Sequence, residues 1–262
     1  GGRWADYDHI QLVGRVLSAL WDTLTILWIY LLGRELFGRK IGLLSAAFQA
    51  LAVLHIQLAH FATFDVTMAT FVTLAVLMAV RGVQRGRPGD FLLAGIAGGL
   101  AIGSLARALP ILLPIGLAPL LRLWQENGNL LKFERWDARQ RRRAYLLVGV
   151  AVLALLMSVL VFVLTNPFAV LDFQSFFKDF NEQRRMVSGE IDFPFTRQYR
   201  GTPAYLYQIE QQVRWGLGWP LGVAGFLGVA WALARLLRRR GQAGEWIILA
   251  WFLPYFLING SF

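Results

Sequence analysis

Apolar residues gather along this chain in long, nearly unbroken runs instead of alternating or forming narrow stripes. The runs are Val13–Gly33, Ile41–Ala59, Phe64–Val80, Phe91–Leu121, Ala144–Leu164, Gly216–Ala234 and Trp246–Gly260. A helix needs about 20 apolar residues to cross a hydrocarbon core about 30 Å thick. Most runs approach that length, and each predicts a membrane-embedded helix. Phe91–Leu121 is different, because its 31 residues would rise roughly 46 Å as one helix, too much for one crossing and too little for two. Pro110, Pro114 and Pro119 crowd its second half, so the pattern predicts a short helix, a break near Arg107 and a second short helix. The expected fold class is all-α: a polytopic transmembrane helical bundle of about eight crossings, one pair short or re-entrant.

The polar stretches between runs are short, with one exception. Residues 166–215 form a segment of about fifty residues whose charges cancel and whose aromatics recur. A connection of that length is usually functional or folded. Within it, Leu171–Phe180 has the spacing of an amphipathic surface helix, and Phe193-Pro194 and Gly201-Thr202-Pro203 read as turns. The expected organisation is 1–165 as the first six crossings, 166–215 as an extracytoplasmic loop and 216–262 as the last two crossings. The hydropathy shows no matched halves of a transporter, and there is no Walker loop or dinucleotide fingerprint.

Composition sharpens this picture. The chain is 56% hydrophobic and 16% charged, which excludes an ordinary soluble domain and a disordered tail. No cysteine is present, so disulfides, thiolate metal sites and cysteine nucleophiles are excluded. The net charge of +10 could signal nucleic acid. Its location says otherwise: 17 basic residues fall in four loops on one side of the alternating runs, against Arg3 alone in the short segments opposite. Lysine and arginine mark cytoplasmic loops, so both chain ends are expected outside and nucleic acid is not an expected partner.

Charges inside the runs carry more information, because hydrocarbon penalises them by several kcal/mol. They are Arg15, Asp22, Asp65 and Arg107. Arg15 and Arg107 could snorkel to the interface. As two guanidinium groups at one depth, they also suit a lipid phosphate, whose oxygens an arginine fork binds in pairs. Asp65 could cap the helix that follows it, or serve as a carboxylate at the mouth of a site. His60 is a polar anchor or a weaker contact to the same site, and His55 a packing residue. Asp22 is expected to be satisfied by hydrogen bonds from a neighbouring helix. Asp6, Asp8 and His9 could hold a divalent cation, although their spacing is not diagnostic of one.

At these residues the chain resembles a known family. Gly14-Arg15-Val16-Leu17-Ser18-Ala19-Leu20 and Tyr30-Leu31-Leu32-Gly33-Arg34-Glu35-Leu36-Phe37-Gly38 resemble polyprenyl-phosphate-dependent glycosyltransferases of the GT-C superfamily. The branch is the one with protein O-mannosyltransferases and the lipid A aminoarabinose transferase. Gln57-Leu58-Ala59-His60-Phe61 through Asp65 looks like the family segment ending in an aspartate that faces the site. Gly99-Leu100-Ala101-Ile102-Gly103-Ser104-Leu105-Ala106-Arg107 is similar to a segment where relatives commonly carry lysine. Asn166-Pro167-Phe168 and Gly201-Thr202-Pro203-Ala204-Tyr205 resemble the two ends of the large outer loop.

The resemblance implies sugar transfer from a polyprenyl-phosphate carrier to a lipid, glycan or protein acceptor at the outer membrane face. It assigns Asp65 a catalytic role and donor or acceptor binding to Arg15, Arg107, His60, Tyr199 and Arg200. It also implies a principal catalytic aspartate in a first outer loop upstream of this chain, which makes the chain an expected internal fragment in a bacterial plasma membrane. A divalent cation is the one cofactor entertained. A secondary transporter or lipid flippase, and a non-catalytic envelope assembly subunit, are the rival readings.

Overall fold

A computed structural model describes residues 7–128, 134–187, 190–191, 194, 196–197, 201–238 and 240–261. Among them every regular element is helical. The order is α1 (Tyr7–Phe37), α2 (Arg39–Ala50), α3 (Val53–His60), α4 (Phe64–Arg85), α5 (Pro88–Ser104), a 3₁₀ segment (Ala106–Ile111), α6 (Leu112–Asn127) and α7 (Ala138–Thr165). Then come α8 (Phe168–Leu171), α9 (Phe173–Val187), α10 (Leu206–Gln211), a π-helical turn (Gln212–Gly216), α11 (Trp219–Leu237) and α12 (Ala243–Asn259).

Each apolar run became helical, but the number of crossings is lower than expected. Five helices are long and apolar enough to span a membrane, or six if the bent pair α2–α3 counts as one. The expected eight included α5 and α12, which have only 17 residues each. That length rises roughly 25 Å, short of the about 30 Å core. α5 ends where Leu105 turns extended (φ −159°, ψ 121°), five residues before Pro110, so the expected break near Arg107 is present. The bend of 54° between α2 and α3 was not expected. No proline or glycine marks it; Leu51 and Ala52 leave the helix without one.

The helices alternate in direction, which brings all the arginine-rich connections to one end of the bundle. α4 is the central member: 67% of its apolar window is buried, against 6% for α11 at the periphery. Its buried residues, from Val66 through Leu77 to Val83, meet α5, α6, α12 and the inner face of α1. Buried hydroxyls join α1 to α4, with Thr25 Oγ1 2.8 Å from Thr70 Oγ1 and Thr70 donating to the Trp21 carbonyl at 2.9 Å. α5 is seated on α7 backbone to backbone. A Cβ at Gly95 would stand 2.2 Å from the Ala154 carbonyl oxygen, and one at Gly99 2.5 Å from that of Ser158. Small residues permit such close approach where lipid offers little hydrophobic drive between helices.

At the arginine-rich end, side chains close the helix termini. Arg122 donates to the carbonyls of Val83 and Gln84 at 3.1 Å each, and Arg143 to that of Gly86 at 3.0 Å. These are the C-terminal carbonyls of α4, which no intrahelical donor can reach. Gly86 turns left-handed there (φ 67°), and a Cβ would lie 2.9 Å from both guanidinium groups. Glu126 accepts from Arg122 at 2.7 Å and from Arg143 at 3.1 Å. Glu35 binds Arg85 at 2.7 Å and so ties α1 to α4. Glu245, almost fully buried, pairs with Arg235 at 3.1 Å and joins α11 to α12.

After α7 the described residues are helical over Phe168–Leu171, Phe173–Val187, Leu206–Gln211 and Gln212–Gly216. The amphipathic stretch begins at Phe173, after a break at Asp172 whose carboxylate accepts from the Ser175 amide at 3.2 Å, and runs on to Val187. Phe176 meets Phe162 of α7 edge to face, with centroids 6.3 Å apart. Of the expected turns, Gly201 adopts a left-handed φ of 75°, while Phe193 lies outside the described residues.

Candidate functional site

The end opposite the arginines gathers most of the residues singled out in the sequence. Asp65 sits in the first turn of α4, after the sharp α3–α4 connection in which Ala62 takes a positive φ of 52°. It does not occupy the N-cap, which belongs to Thr63, so the simple capping role is corrected. Its carboxylate instead forms an ion pair with Arg107 on the 3₁₀ segment. That pairing depends on the break after α5: an uninterrupted helix would lack the extended Leu105 that sets the turn carrying Arg107. A carboxylate in a first turn is also favoured by the helix dipole.

Arg107 opens onto a groove of about 760 Å³ between the end of α12, α11 and the α10–π-turn segment. Phe226, Trp251, Phe252 and Phe256 supply apolar walls, while Thr196, Gln208, Gln212, Tyr255 and Asn259 are polar members. Among the described residues the lining thus combines one guanidinium with aromatic walls and several uncharged polar groups. Tyr205, outside the lining, braces two of its lining residues. The Tyr205 amide donates to the Gly260 carbonyl at 2.7 Å, and its ring lies 5.9 Å from that of Phe256. Tyr205 is held at φ 63°, a conformation costly for a side chain of that size. The adjacent π-turn, closed by Leu217 donating to Gln212 at 2.8 Å, is another irregularity common at functional sites.

The other expected residues stand as follows. Arg15 is exposed and has no ion pair among the described residues, and it is not part of the groove wall. It belongs to the same end, since a Cβ on neighbouring Gly14 would come within 2.9 Å of Ala62. His60 is exposed, and its Nδ1–H donates to the Ile56 carbonyl at 2.6 Å. Asp22 has the interhelical partner expected of it: His55 Nδ1 lies 3.2 Å from its carboxylate. Tyr199, Arg200 and Asp6 lie outside the described residues, as do the side chains of Asp8 and His9.

Among the described residues no three histidine, aspartate or glutamate side chains converge as metal ligands. Asp65, held by a guanidinium, does not fit a cation site. The groove's glutamines, Tyr255 and Asn259 were not foreseen. Their signal was present as two polar pairs at i, i+4, Gln208/Gln212 and, within an otherwise apolar run, Tyr255/Asn259.

Two other cavities complete the inventory. One of about 290 Å³, almost wholly apolar, lies between α9, α7 and the 3₁₀ segment. The other, of about 530 Å³, lies between α6 and α7 at the arginine-rich end.

Comparison with known proteins gives one match. Residues 8–162 match the family model described as dolichyl-phosphate-mannose-protein mannosyltransferase. No curated protein and no solved structure matches the chain.

Proposed function

Because the chain belongs to the dolichyl-phosphate-mannose-protein mannosyltransferase family, and so to membrane-embedded glycosyltransferases, we propose that Arg107 receives the phosphate of a polyprenyl-phosphate sugar whose chain enters the aromatic groove. The observation that carries this reading is the Arg107 guanidinium, paired with Asp65, in the lining of a groove walled largely by aromatic side chains. Sugar transfer joins an acceptor hydroxyl oxygen to the anomeric carbon while the bond from that carbon to the phosphate oxygen breaks. The polyprenyl phosphate departs with added negative charge, and the hydroxyl proton passes to a carboxylate. A fixed guanidinium favours that charge most where it develops, in the transition state.

In this reading Asp65 holds the Arg107 fork toward the groove and lies near enough to orient the acceptor hydroxyl. Arg15 offers a second cation at the same end for the approaching headgroup, with His60, Tyr199 and Arg200 as acceptor contacts on the α3–α4 turn and the 166–215 segment. The arginine-rich end faces the cytoplasm, so transfer takes place on the extracytoplasmic side, onto a lipid, glycan or protein acceptor. Bacterial plasma membrane is the setting proposed. The metal reading remains confined to Asp6, Asp8 and His9, and no step here depends on it.

The test uses membranes containing the protein and a radiolabelled polyprenyl-phosphate sugar. Arg107→Gln and Arg15→Gln should lower label transfer while membrane content and helicity stay unchanged. Wild-type transfer in both variants overturns the phosphate assignment.

A further inference from the structure

The cavity at the arginine-rich end shares no lining residue with the groove, and its arginines differ from their neighbours. Its walls are Glu126, Arg139, Arg142, Arg143 and Leu146. The last four lie on α7 at i, i+3, i+4 and i+7, so a single helix face carries three guanidinium groups next to one leucine. Glu126 is already committed to Arg122 and Arg143. Arg139 and Arg142 are exposed and make no ion pair or hydrogen bond among the described residues. The helix terminus itself supplies little attraction, because Asp137 closes it by accepting from the Gln140 amide at 2.7 Å.

The pocket therefore presents two uncompensated arginines beside a space of about 530 Å³. An apolar track leads away from it: Leu146 and Leu153, seven residues apart on α7, are both exposed, and Gly149 between them has open space around its Cα. We propose that this pocket binds the phosphate of an anionic phospholipid, with Arg139 and Arg142 on the headgroup and an acyl chain lying along Leu146 and Leu153. A soluble phosphate compound would use the same guanidinium chemistry but would make no use of the apolar track. Basic pockets between helices at the cytoplasmic face suit such headgroups.

The protein is reconstituted in nanodiscs of phosphatidylcholine doped with phosphatidylglycerol, and retained lipid is counted by native mass spectrometry. The double variant Arg139→Gln/Arg142→Gln should weaken phosphatidylglycerol retention by roughly 25-fold, about fivefold per arginine. The variant Arg39→Gln/Lys40→Gln removes the same charge elsewhere at that end and should retain the lipid within about twofold of wild type. Equal loss in the two double variants reduces the effect to general surface charge and overturns the proposal. Leu146→Glu leaves every arginine in place and should also lower retention, by about fivefold; wild-type retention in that variant overturns the proposal independently of how the double variant folds. Displacement of the lipid from the wild-type protein by millimolar inorganic phosphate would reassign the pocket to a soluble anion and overturn the lipid assignment.

Discussion

The two ends of this bundle use arginine in opposite ways. At one end guanidinium groups are plentiful, and those of Arg85, Arg122, Arg143 and Arg235 are spent on carboxylates and exposed helix carbonyls, stitching α1, α4, α6, α7, α11 and α12 together. At the other end Arg107 has one ion-pair partner among the described residues, Asp65, and lines an aromatic groove. The number of charges at a site thus says little about chemistry. What separates these latches from Arg107, and from Arg139 and Arg142 beside the α6–α7 cavity, is whether a charge is consumed by the fold or kept beside space that a ligand can enter.

This contrast can be broken most forcefully at Arg107. Glutamine there should lower turnover by about two orders of magnitude, as removal of a transition-state anion donor does elsewhere, while the thermal midpoint barely moves. A large loss of stability with it would place Arg107 with the latches. The groove itself is tested at Gly225, which lines it and has open space at its Cα. Gly225→Phe should raise the KM for a long-chain donor by about tenfold or more, and a short-chain donor should be affected less. Equal sensitivity of both donors would show that the carrier lies elsewhere.

The arginine-rich end should respond in the other currency. Glu126→Gln removes the partner shared by Arg122 and Arg143 and should lower stability by about 1–2 kcal/mol, read as a lower thermal midpoint with unchanged turnover per folded molecule. The smallest effect is expected midway between the ends. Thr70→Val deletes the buried hydroxyl bridge from α4 to α1 and should cost about 0.6 kcal/mol, measured by the same melting experiment. A change in donor KM in that variant would mean that α1 and α4 shift together to shape the site.

Hydropathy placed every apolar helix and the break beside Arg107, because membrane burial and proline act locally on the chain. Boundaries suffered where a local signal was missing. The α2–α3 bend has no proline or glycine, and α12 was counted as a crossing on an apolar run although its helix has only 17 residues, whereas α5 is short as its run predicted. The candidate site was legible as residues but not as an assembly. Asp65 and Arg107 are far apart in the chain, and only the packing of α5 on α4 and α7 brings them together. Arg15 was expected to share the depth and task of Arg107, but it stands exposed outside the groove wall. The groove's two polar pairs escaped notice because each sits on an element whose orientation is set by distant partners.

The short reach of α5 has a consequence for where this enzyme meets its donor. A helix rising roughly 25 Å gives out before it has crossed a layer about 30 Å thick, and the chain resumes as the turn that carries Arg107. Because Gly95 and Gly99 rest on the backbone of α7, α5 cannot slide along its neighbour to make up the difference. The cation is therefore held at a fixed height along α7, set by the 17 residues of α5 that precede its turn. If Arg107 receives the carrier's phosphate as proposed, that phosphate has to come to this height, and transfer should quicken in bilayers of shorter-chain lipids and slow in thicker ones.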